Sequence, residues 1–91
     1  MRKPVRTNQF KKDVELARRR GKNLEKLRVV IQRLIHEETL DPRHRDHALR
    51  GPFIGRRECH LESDWLLIYK LDGDDIIFIF ERTGSHSDLF E

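Results

Sequence analysis

Apolar side chains recur at helical spacing near the start of the chain. Phe10, Val14 and Ala17 lie four and three positions apart, so they fall on one face of a helix. Either Thr7 or Asn8 suits the N-cap, because a short polar side chain there accepts a hydrogen bond from the first turn. The pattern predicts a first amphipathic helix.

A second apolar stripe predicts a second helix. It begins after Asn23, another residue suited to an N-cap, and it cannot continue through Pro42. Its members follow three- and four-residue spacing: Leu24, Leu27, Ile31 and Leu34, widened by Val30 and Ile35. We interpret this stripe as the surface with which the helix packs against a core.

The second half of the chain alternates between turn residues and short apolar runs. Residues 41–55 contain two prolines and two glycines and are predicted to be irregular. Strands are predicted over residues 56–61, 65–71 and 75–82. The sequence LDGDD at residues 71–75 is typical of a hairpin turn, and the other connection is also short. Strands joined in this way form an antiparallel meander.

The order of these elements predicts an α+β domain. Two N-terminal helices would pack on one face of a small antiparallel sheet and leave the other face free for function. Residues 3–7, which include Pro4, suit a short edge strand or an extended lead-in. The C-terminal tail is predicted to fold back through Leu89 and Phe90 as a turn or short helix. A chain of 91 residues makes one domain, over residues 1–91.

Basic residues outnumber acidic ones only slightly, but they are clustered. The chain has 19 lysines and arginines against 16 aspartates and glutamates, a net charge of +3. One cluster consists of Arg18, Arg19, Arg20 and Lys22, and a second of Arg43, Arg45, Arg50, Arg56 and Arg57. Arginine suits a polyanion such as RNA, because its guanidinium grips phosphate with two hydrogen bonds. For the first cluster, a plain solvated surface is an equal alternative.

The cellular location is predicted from the cysteine content and the apolar runs. A single cysteine, Cys59, excludes a disulfide framework within the chain and favours a reducing cytoplasm. We interpret it as a packed thiol. The N-terminus, MRKPVRTNQF, lacks the apolar segment of a signal peptide. The run IIFIF is far too short to cross a bilayer, so no membrane partner is expected.

Ionisable side chains gather around the first predicted strand of the meander. Alternation along residues 56–61 places Glu58 and His60 together on the face turned away from the helices. Asp64 begins the next strand, close across a short connection. The fold is expected to bring further groups to the same place: His47, Arg82 and His86.

Such a cluster has the groups needed to cleave RNA without a metal or other cofactor. Histidine transfers protons near neutral pH, and a neighbouring carboxylate orients its ring. Arginine stabilises the charge on a phosphorane-like transition state. A base would remove the 2′-hydroxyl proton and an acid would protonate the leaving 5′-oxygen. The products would be a 2′,3′-cyclic phosphate or 3′-phosphate and a 5′-hydroxyl.

Simpler interpretations stay open at this point. Each histidine alone is more often an ordinary polar surface residue. The three histidines with Asp64 include ligand types that bind Zn²⁺, although no HxxxH or CxxC spacing supports a metal site. Trp65 and Phe90 are candidates for stacking on bases. Trp65 is equally suited to core packing, because alternation along the strand places it on the same face as Leu67 and Tyr69.

Three segments of the chain resemble one known family. They are RDHALRG at residues 45–51, GRRECHLESDWLLIYKL at 55–71 and FERTGSHSDLF at 80–90. Their patterns, xDHxLxG, HxxxDWLLIYK and FxRTGxHxxLF, resemble the YafQ-type toxins of the RelE/ParE superfamily, in order and at compatible spacing. The N-terminal helices match in pattern and length, so the resemblance covers nearly the whole chain.

The resemblance implies a fold, an activity and partners. The fold would be the RelE-like, microbial-ribonuclease-like arrangement of two helices on an antiparallel sheet. The activity would be that of a metal-independent endoribonuclease that cuts mRNA in the ribosome. A DinJ/RelB-like antitoxin would wrap the toxin and block its site. Operator DNA would be bound only through that antitoxin, because the pair represses its own operon.

The resemblance also implies roles for individual residues. Those implicated in catalysis are His47, His60, Asp64, Arg82 and His86. Those expected to contact RNA are Glu58, Trp65, Phe90, Arg50 and Arg56. We expect His86 to be the general acid, Asp64 or His47 the base, and His60 a supporting group. Glu58 departs from the pattern, since the family member used for comparison has a shorter aspartate there.

Two other functional classes compete with the ribonuclease. A non-catalytic module on the same fold would bind RNA or the ribosome without cutting. A ParE-like toxin would act on gyrase instead. The HxxxDW and RTGxH segments argue against the ParE-like alternative, because such a toxin has no need for clustered histidines. The non-catalytic module differs from the ribonuclease in one testable respect, because its activity would not depend on any single proton-transfer residue.

Overall fold

The computed structural model describes residues 3–72 and 77–90, so most of the turn predicted at 71–75 lies outside them. Of residues 72 and 77–81 only the backbone is described. The helices are α1 (Asn8–Arg19), α2 (Leu24–Ile35) and a short α3 (His86–Phe90). The strands are β1 (Lys3–Arg6), β2 (His47–Ala48), β3 (Arg57–Glu62), β4 (Trp65–Asp72) and β5 (Ile77–Gly84).

Both long helices begin at predicted capping residues. Thr7 Oγ1 accepts a hydrogen bond from the backbone N–H of Phe10 at 3.0 Å. Asn23 Oδ1 accepts one from the N–H of Glu25, also at 3.0 Å. Each bond satisfies a donor that the first helical turn would otherwise leave unpaired. The predicted start of each helix is therefore confirmed.

The sheet has five strands in the order β1-β5-β4-β3-β2. Strands β2 to β5 pair antiparallel, as the predicted meander requires. Strand β1 pairs parallel to β5 at the sheet edge, the position in a sheet where a proline such as Pro4 is tolerated. The α+β class with two N-terminal helices is confirmed. Strand β2 corrects the prediction of an entirely irregular segment over residues 41–55.

Apolar side chains cover both faces of the sheet. The helix-facing core contains Phe10, Leu27, Ile31, Leu34, Cys59, Trp65, Leu67 and Tyr69. On the other face, Leu66 and Ile68 pack with Leu89 from α3 and with Leu49. The expectation of a free second face was therefore wrong. The folded-back tail is confirmed, because Leu89 is buried against the sheet.

Two further predictions concern membrane-spanning helices and the single cysteine. No helix in the described ranges is long and apolar enough to span a bilayer. Cys59 is fully buried and unpaired, and burial raises the pKa of its thiol. A thiol in this state is a packing group, as predicted, because the nucleophilic thiolate does not form near neutral pH.

Candidate active site

The predicted site residues occupy neighbouring rows of the sheet. In an antiparallel sheet, residues directly opposite one another point to the same face. The first row runs across four strands: His47, Glu58, Ile68 and Arg82. The next row begins with His60 and ends at Gly84, directly before α3. Residues that are distant in the sequence therefore meet beside one end of the sheet.

His60 is held by the buried carboxylate of Glu58. Its Nε2 lies 3.2 Å from Glu58 Oε1, and Glu58 is only 5% exposed. The pairing register shifts between His60 and Glu62, so Leu61 is an extra residue in β3 beside the histidine. The prediction that Glu58 contacts RNA is corrected, because its carboxylate is buried and is engaged in orienting His60.

The three predicted histidines form a line with His60 in the middle. The ring centroids of His47 and His60 are 6.4 Å apart, and those of His60 and His86 are 6.0 Å apart. His47 Nδ1 donates to the backbone carbonyl of Arg45 at 2.5 Å. Since that nitrogen carries the proton, the Nε2 of a neutral His47 is an acceptor. The expected histidine cluster is thus present in the structure.

Asp64 joins this cluster through His86. One carboxylate oxygen, Oδ1, accepts both the backbone N–H of His86 at 2.9 Å and its ring Nδ1–H at 2.8 Å. These two hydrogen bonds lower the pKa of Asp64, the backbone one most. The side chains of Asp64 and His86 are 65% and 55% exposed, so the outer edge of the His86 ring is accessible to a substrate. The pair has the geometry of an oriented acid.

Helix α3 is fixed at its start by a reciprocal capping pair. Asp88 Oδ2 accepts the N–H of Ser85 at 3.0 Å, and Ser85 Oγ accepts the N–H of Asp88 at 3.2 Å. Arg20, at the end of α1, donates to the same carboxylate at 2.6 and 3.3 Å. Gly84 allows this close approach, since a Cβ there would lie 3.0 Å from Asp88 atoms. These contacts fix the residue between them, His86.

Replacing Asp88 with asparagine is expected to lower the free energy of unfolding by about 1 kcal/mol at pH 7, since Arg20 is half exposed and solvent screens the pair. Hydrogen bonds from Arg20, and then from Ser85, lower the pKa of Asp88 from 3.8 to about 2. Its stabilisation is therefore present above the unfolded pKa and is lost as pH falls from about 4 to about 2. Urea unfolding of both proteins across that range should show the difference shrinking; a constant difference would contradict it.

Arg82 reaches from the sheet edge to α1. Its Nε and Nη2 donate to the buried carboxylate of Asp13 at 2.8 and 3.2 Å, and this pairing raises the pKa of the guanidinium. Asp13 also accepts the backbone N–H of Thr83 at 3.1 Å. The side chain of Arg82 remains 35% exposed. In the part of the chain that the structure describes, no contact uses its Nη1.

The residues predicted to contact RNA differ in how much of each is exposed to solvent. Trp65 is 1% exposed and belongs to the helix-facing core, so the stacking prediction for it is corrected in favour of packing. Phe90 is 38% exposed and lies 6.2 Å from His86, centroid to centroid. Arg50 is exposed and Arg56 is half-buried, both in the loop between β2 and β3. Phe90 and Arg50 therefore fit the predicted contact role.

Three residues near the cluster were missed in the sequence analysis. Phe53 meets Phe90 edge to face at 5.1 Å and extends the aromatic rim. His44 Nδ1 donates to the carbonyl of His60 at 2.7 Å. Asp46 accepts hydrogen bonds from two core-side groups. The run RHRDH was the available signal for the last two, because it packs ionisable groups beside His47.

Among residues 3–72 and 77–90, no group of three or more histidine, cysteine, aspartate or glutamate side chains is arranged to hold a metal ion. His60 Nε2 is in ion-pair contact with Glu58, and His86 Nδ1 is hydrogen-bonded to Asp64. The three imidazoles are held at spacings of 6.4 and 6.0 Å between ring centroids.

The sequence is similar to that of a toxin family. The family described as "Bacterial toxin of type II toxin-antitoxin system, YafQ" matches residues 2–91. The mRNA interferase toxin YafQ of Escherichia coli (strain K12) is 44% identical over 85 residues, which make up 92% of this chain and 90% of that protein. A putative toxin YafQ of Haemophilus influenzae is 32% identical over 93% of this chain and 91% of that protein.

The fold is similar to solved structures of the same family. The crystal structure of YafQ from Escherichia coli strain BL21(DE3) superimposes with a TM-score of 0.93 at 40% identity and covers all of both chains. The toxin from a crystal structure of the Escherichia coli DinJ–YafQ complex gives a TM-score of 0.91 at 41% identity, again over all of both chains.

Proposed function

The chain belongs to the YafQ family of bacterial toxins from type II toxin–antitoxin systems, and on this basis we propose that it is an endoribonuclease that cleaves mRNA. The name of its 44% identical relative, an mRNA interferase, supports the activity. The observation that carries the proposal is the line of three imidazoles, with centroids 6.4 and 6.0 Å apart. Acid–base cleavage needs two proton-transfer groups on opposite sides of one phosphate.

We assign the general base to His47. Its Nδ1–H is donated to Arg45, which leaves Nε2 free to accept the proton of the 2′-hydroxyl. Asp64, the other candidate base, already accepts two hydrogen bonds from His86 through one oxygen. An acceptor occupied in this way orients its partner and is poorly placed to take a proton from RNA.

We assign the general acid to His86. Asp64 receives its Nδ1–H, so a protonated ring presents Nε2–H to the leaving 5′-oxygen. The side chain is more than half exposed, and its place at the start of α3 is fixed by Ser85 and Asp88. A fixed, accessible donor avoids reorganisation during the reaction.

Positive charge is the remaining requirement of the transition state. Arg82 supplies it through Nη1, since Asp13 holds the Nε and Nη2 side of the same guanidinium. His60, oriented by Glu58 between the other two rings, supports the same charge. Attack by the 2′-oxygen and loss of the 5′-oxygen leave a 2′,3′-cyclic phosphate, or the 3′-phosphate after hydrolysis, and a 5′-hydroxyl, with no metal or other cofactor.

The ribosome positions the message in this proposal. The catalytic groups lie on an exposed surface, with Asp64 and His86 more than half accessible. Such a surface offers little to align a flexible RNA for in-line attack, which is a large part of the barrier. Phe90, Phe53 and Arg50 at the rim would then contact the bases and phosphates beside the scissile bond.

The proposal includes a protein partner that controls the toxin. Solved complexes pair YafQ with DinJ, so we propose a DinJ/RelB-like antitoxin that covers the histidine line. Operator DNA is bound through that antitoxin only. The site of action is the cytoplasm, where mRNA is translated and the unpaired Cys59 stays reduced.

Cleavage of a defined mRNA during cell-free translation tests the proposal. We expect primer extension to show cuts at discrete in-frame positions when ribosomes are present, and none on the same RNA without them. The downstream fragments should be ligated only after 5′-phosphorylation, because they carry 5′-hydroxyl ends. Arrested translation with intact mRNA would reject the nuclease in favour of a non-catalytic binding module.

A further inference from the structure

Asp46 directly precedes β2 and His47 is its first residue, and their side chains point to opposite faces of the sheet. His47 pairs with Glu58, on the face that carries the histidine line. The Asp46 carboxylate reaches the helix-facing side, where it meets Tyr69 and Arg57. Because side chains alternate along a strand, holding one of the two residues sets the direction of the other.

Two donors converge on Asp46. The hydroxyl of Tyr69 and the Nε of Arg57, the latter at 3.3 Å, both donate to Asp46 Oδ1. Arg57 and Tyr69 are directly opposite each other in β3 and β4, so the carboxylate is tied to two strands at once. Tyr69 is buried, and burial raises the pKa of its hydroxyl, which therefore remains a donor. We refer to Asp46, Arg57 and Tyr69 as the Asp46 anchor.

Outside the Asp46 anchor, two hydrogen bonds hold the segment around His47 to the sheet. His44 Nδ1 donates to the His60 carbonyl and the Leu49 N–H to the Arg56 carbonyl, so these bonds lie on either side of residues 46–47. Strand β2 is two residues long, and both residues are exposed. Arg45, just before it, has φ of 47°, in the left-handed region that non-glycine residues adopt only when neighbours hold them there. The hydrogen bond from His47 to Arg45 lies within this segment, so it orients the ring without fixing the segment to the sheet.

We propose that Asp46 is a positioning residue that fixes His47 for cleavage, through its hydrogen bonds with Tyr69 and Arg57. This inference rests on the proposed function, in which His47 is the general base. Without the anchor, the ring of His47 would shift relative to His60 and to the phosphate. A displacement of about 1 Å at a reacting group lowers rates by about a hundredfold.

Two conservative variants, Tyr69→Phe and Asp46→Asn, test the anchor in the full chain. Both nearly preserve side-chain shape, and circular dichroism shows whether each is folded. In programmed ribosomes, we expect the saturating single-turnover rate constant to fall about tenfold or more, with the half-saturating toxin concentration unchanged. The matched control is Glu38→Gln, which removes an exposed carboxylate from the same side of the molecule. It should leave both constants unchanged.

A second readout needs no cleavage. Long-range ¹H–¹⁵N spectra of the free protein should show His47 as the Nδ1-protonated tautomer in the wild type and in Glu38→Gln. In Tyr69→Phe and Asp46→Asn the chemical shifts of its ring should change, because the ring moves relative to His60, while those of His36, outside the site, stay constant. Unchanged His47 signals in both folded variants would overturn the inference. Changed signals with cleavage at the wild-type rate would support positioning and reject His47 as the base.

Discussion

Replacing His86 with alanine is expected to abolish mRNA cleavage while the fold is retained. The change removes the proposed general acid, a group that contributes about 10²–10⁴-fold to rate in enzymes of this kind. The helix that carries His86 should persist, because its capping contacts come from Ser85 and Asp88. The hydrogen bond from the backbone N–H to Asp64 also survives the substitution. Primer extension in cell-free translation measures the loss.

The matched control for this loss is His36→Ala. His36 is an exposed histidine at the end of α2, away from the histidine line, so its replacement should leave cleavage at the wild-type rate. Asp64→Asn is expected to reduce cleavage less than His86→Ala, because it leaves the acid in place without its orienting carboxylate. If folded His86→Ala cuts as fast as wild type, the assignment of the acid is wrong.

Replacing Asp13 with alanine is expected to cause a large loss of stability. Asp13 is buried and accepts from Gln9, the guanidinium of Arg82 and the backbone N–H of Thr83. Its removal leaves the Thr83 donor buried without a partner and releases the end of β5 from α1. Such losses amount to about 2–4 kcal/mol, or a fall in the midpoint of thermal unfolding of about 10–20 °C in a domain of this size.

An exposed carboxylate on the same helix provides the control. Glu15 pairs with Arg18 in solvent, so Glu15→Ala should leave the midpoint of thermal unfolding unchanged. Calorimetry measures the midpoint of thermal unfolding for both variants and for the wild type. A midpoint for Asp13→Ala within about 2 °C of the wild type would contradict the role given to this carboxylate. Arg82 would then be held at the sheet edge by other contacts.

Local signals account for the part of the fold that was predicted correctly. The caps at Thr7 and Asn23 and the spacing of apolar residues identify both helices, because these features act within a few residues of one another. The parallel pairing of β1 with β5 joins distant segments and leaves no local pattern. The apolar cover on the second face of the sheet leaves no local pattern either, because Leu49 and Leu89 meet Ile68 only after the chain folds back.

The candidate site was predicted in its chemistry and less well in its geometry. Alternation along β3 places Glu58 beside His60 correctly, but it does not reveal that the carboxylate is buried. The alternation of side chains along β4 could not decide whether Trp65 packs in the core or stacks on RNA bases, because a buried and an exposed aromatic residue look alike in sequence. Asp46 was overlooked since its partners, Tyr69 and Arg57, belong to other strands.

The pairing of the first strand with the last has a consequence for synthesis. Lys3 lies opposite Ile77, and Asp13 in α1 binds Arg82 and Thr83, so contacts of the N-terminal segment await the synthesis of β5. Contacts of such high sequence separation cannot form on a nascent chain that still lacks β5. His86 begins α3, which follows β5. The nuclease therefore stays unassembled until β5 and α3 have been synthesised.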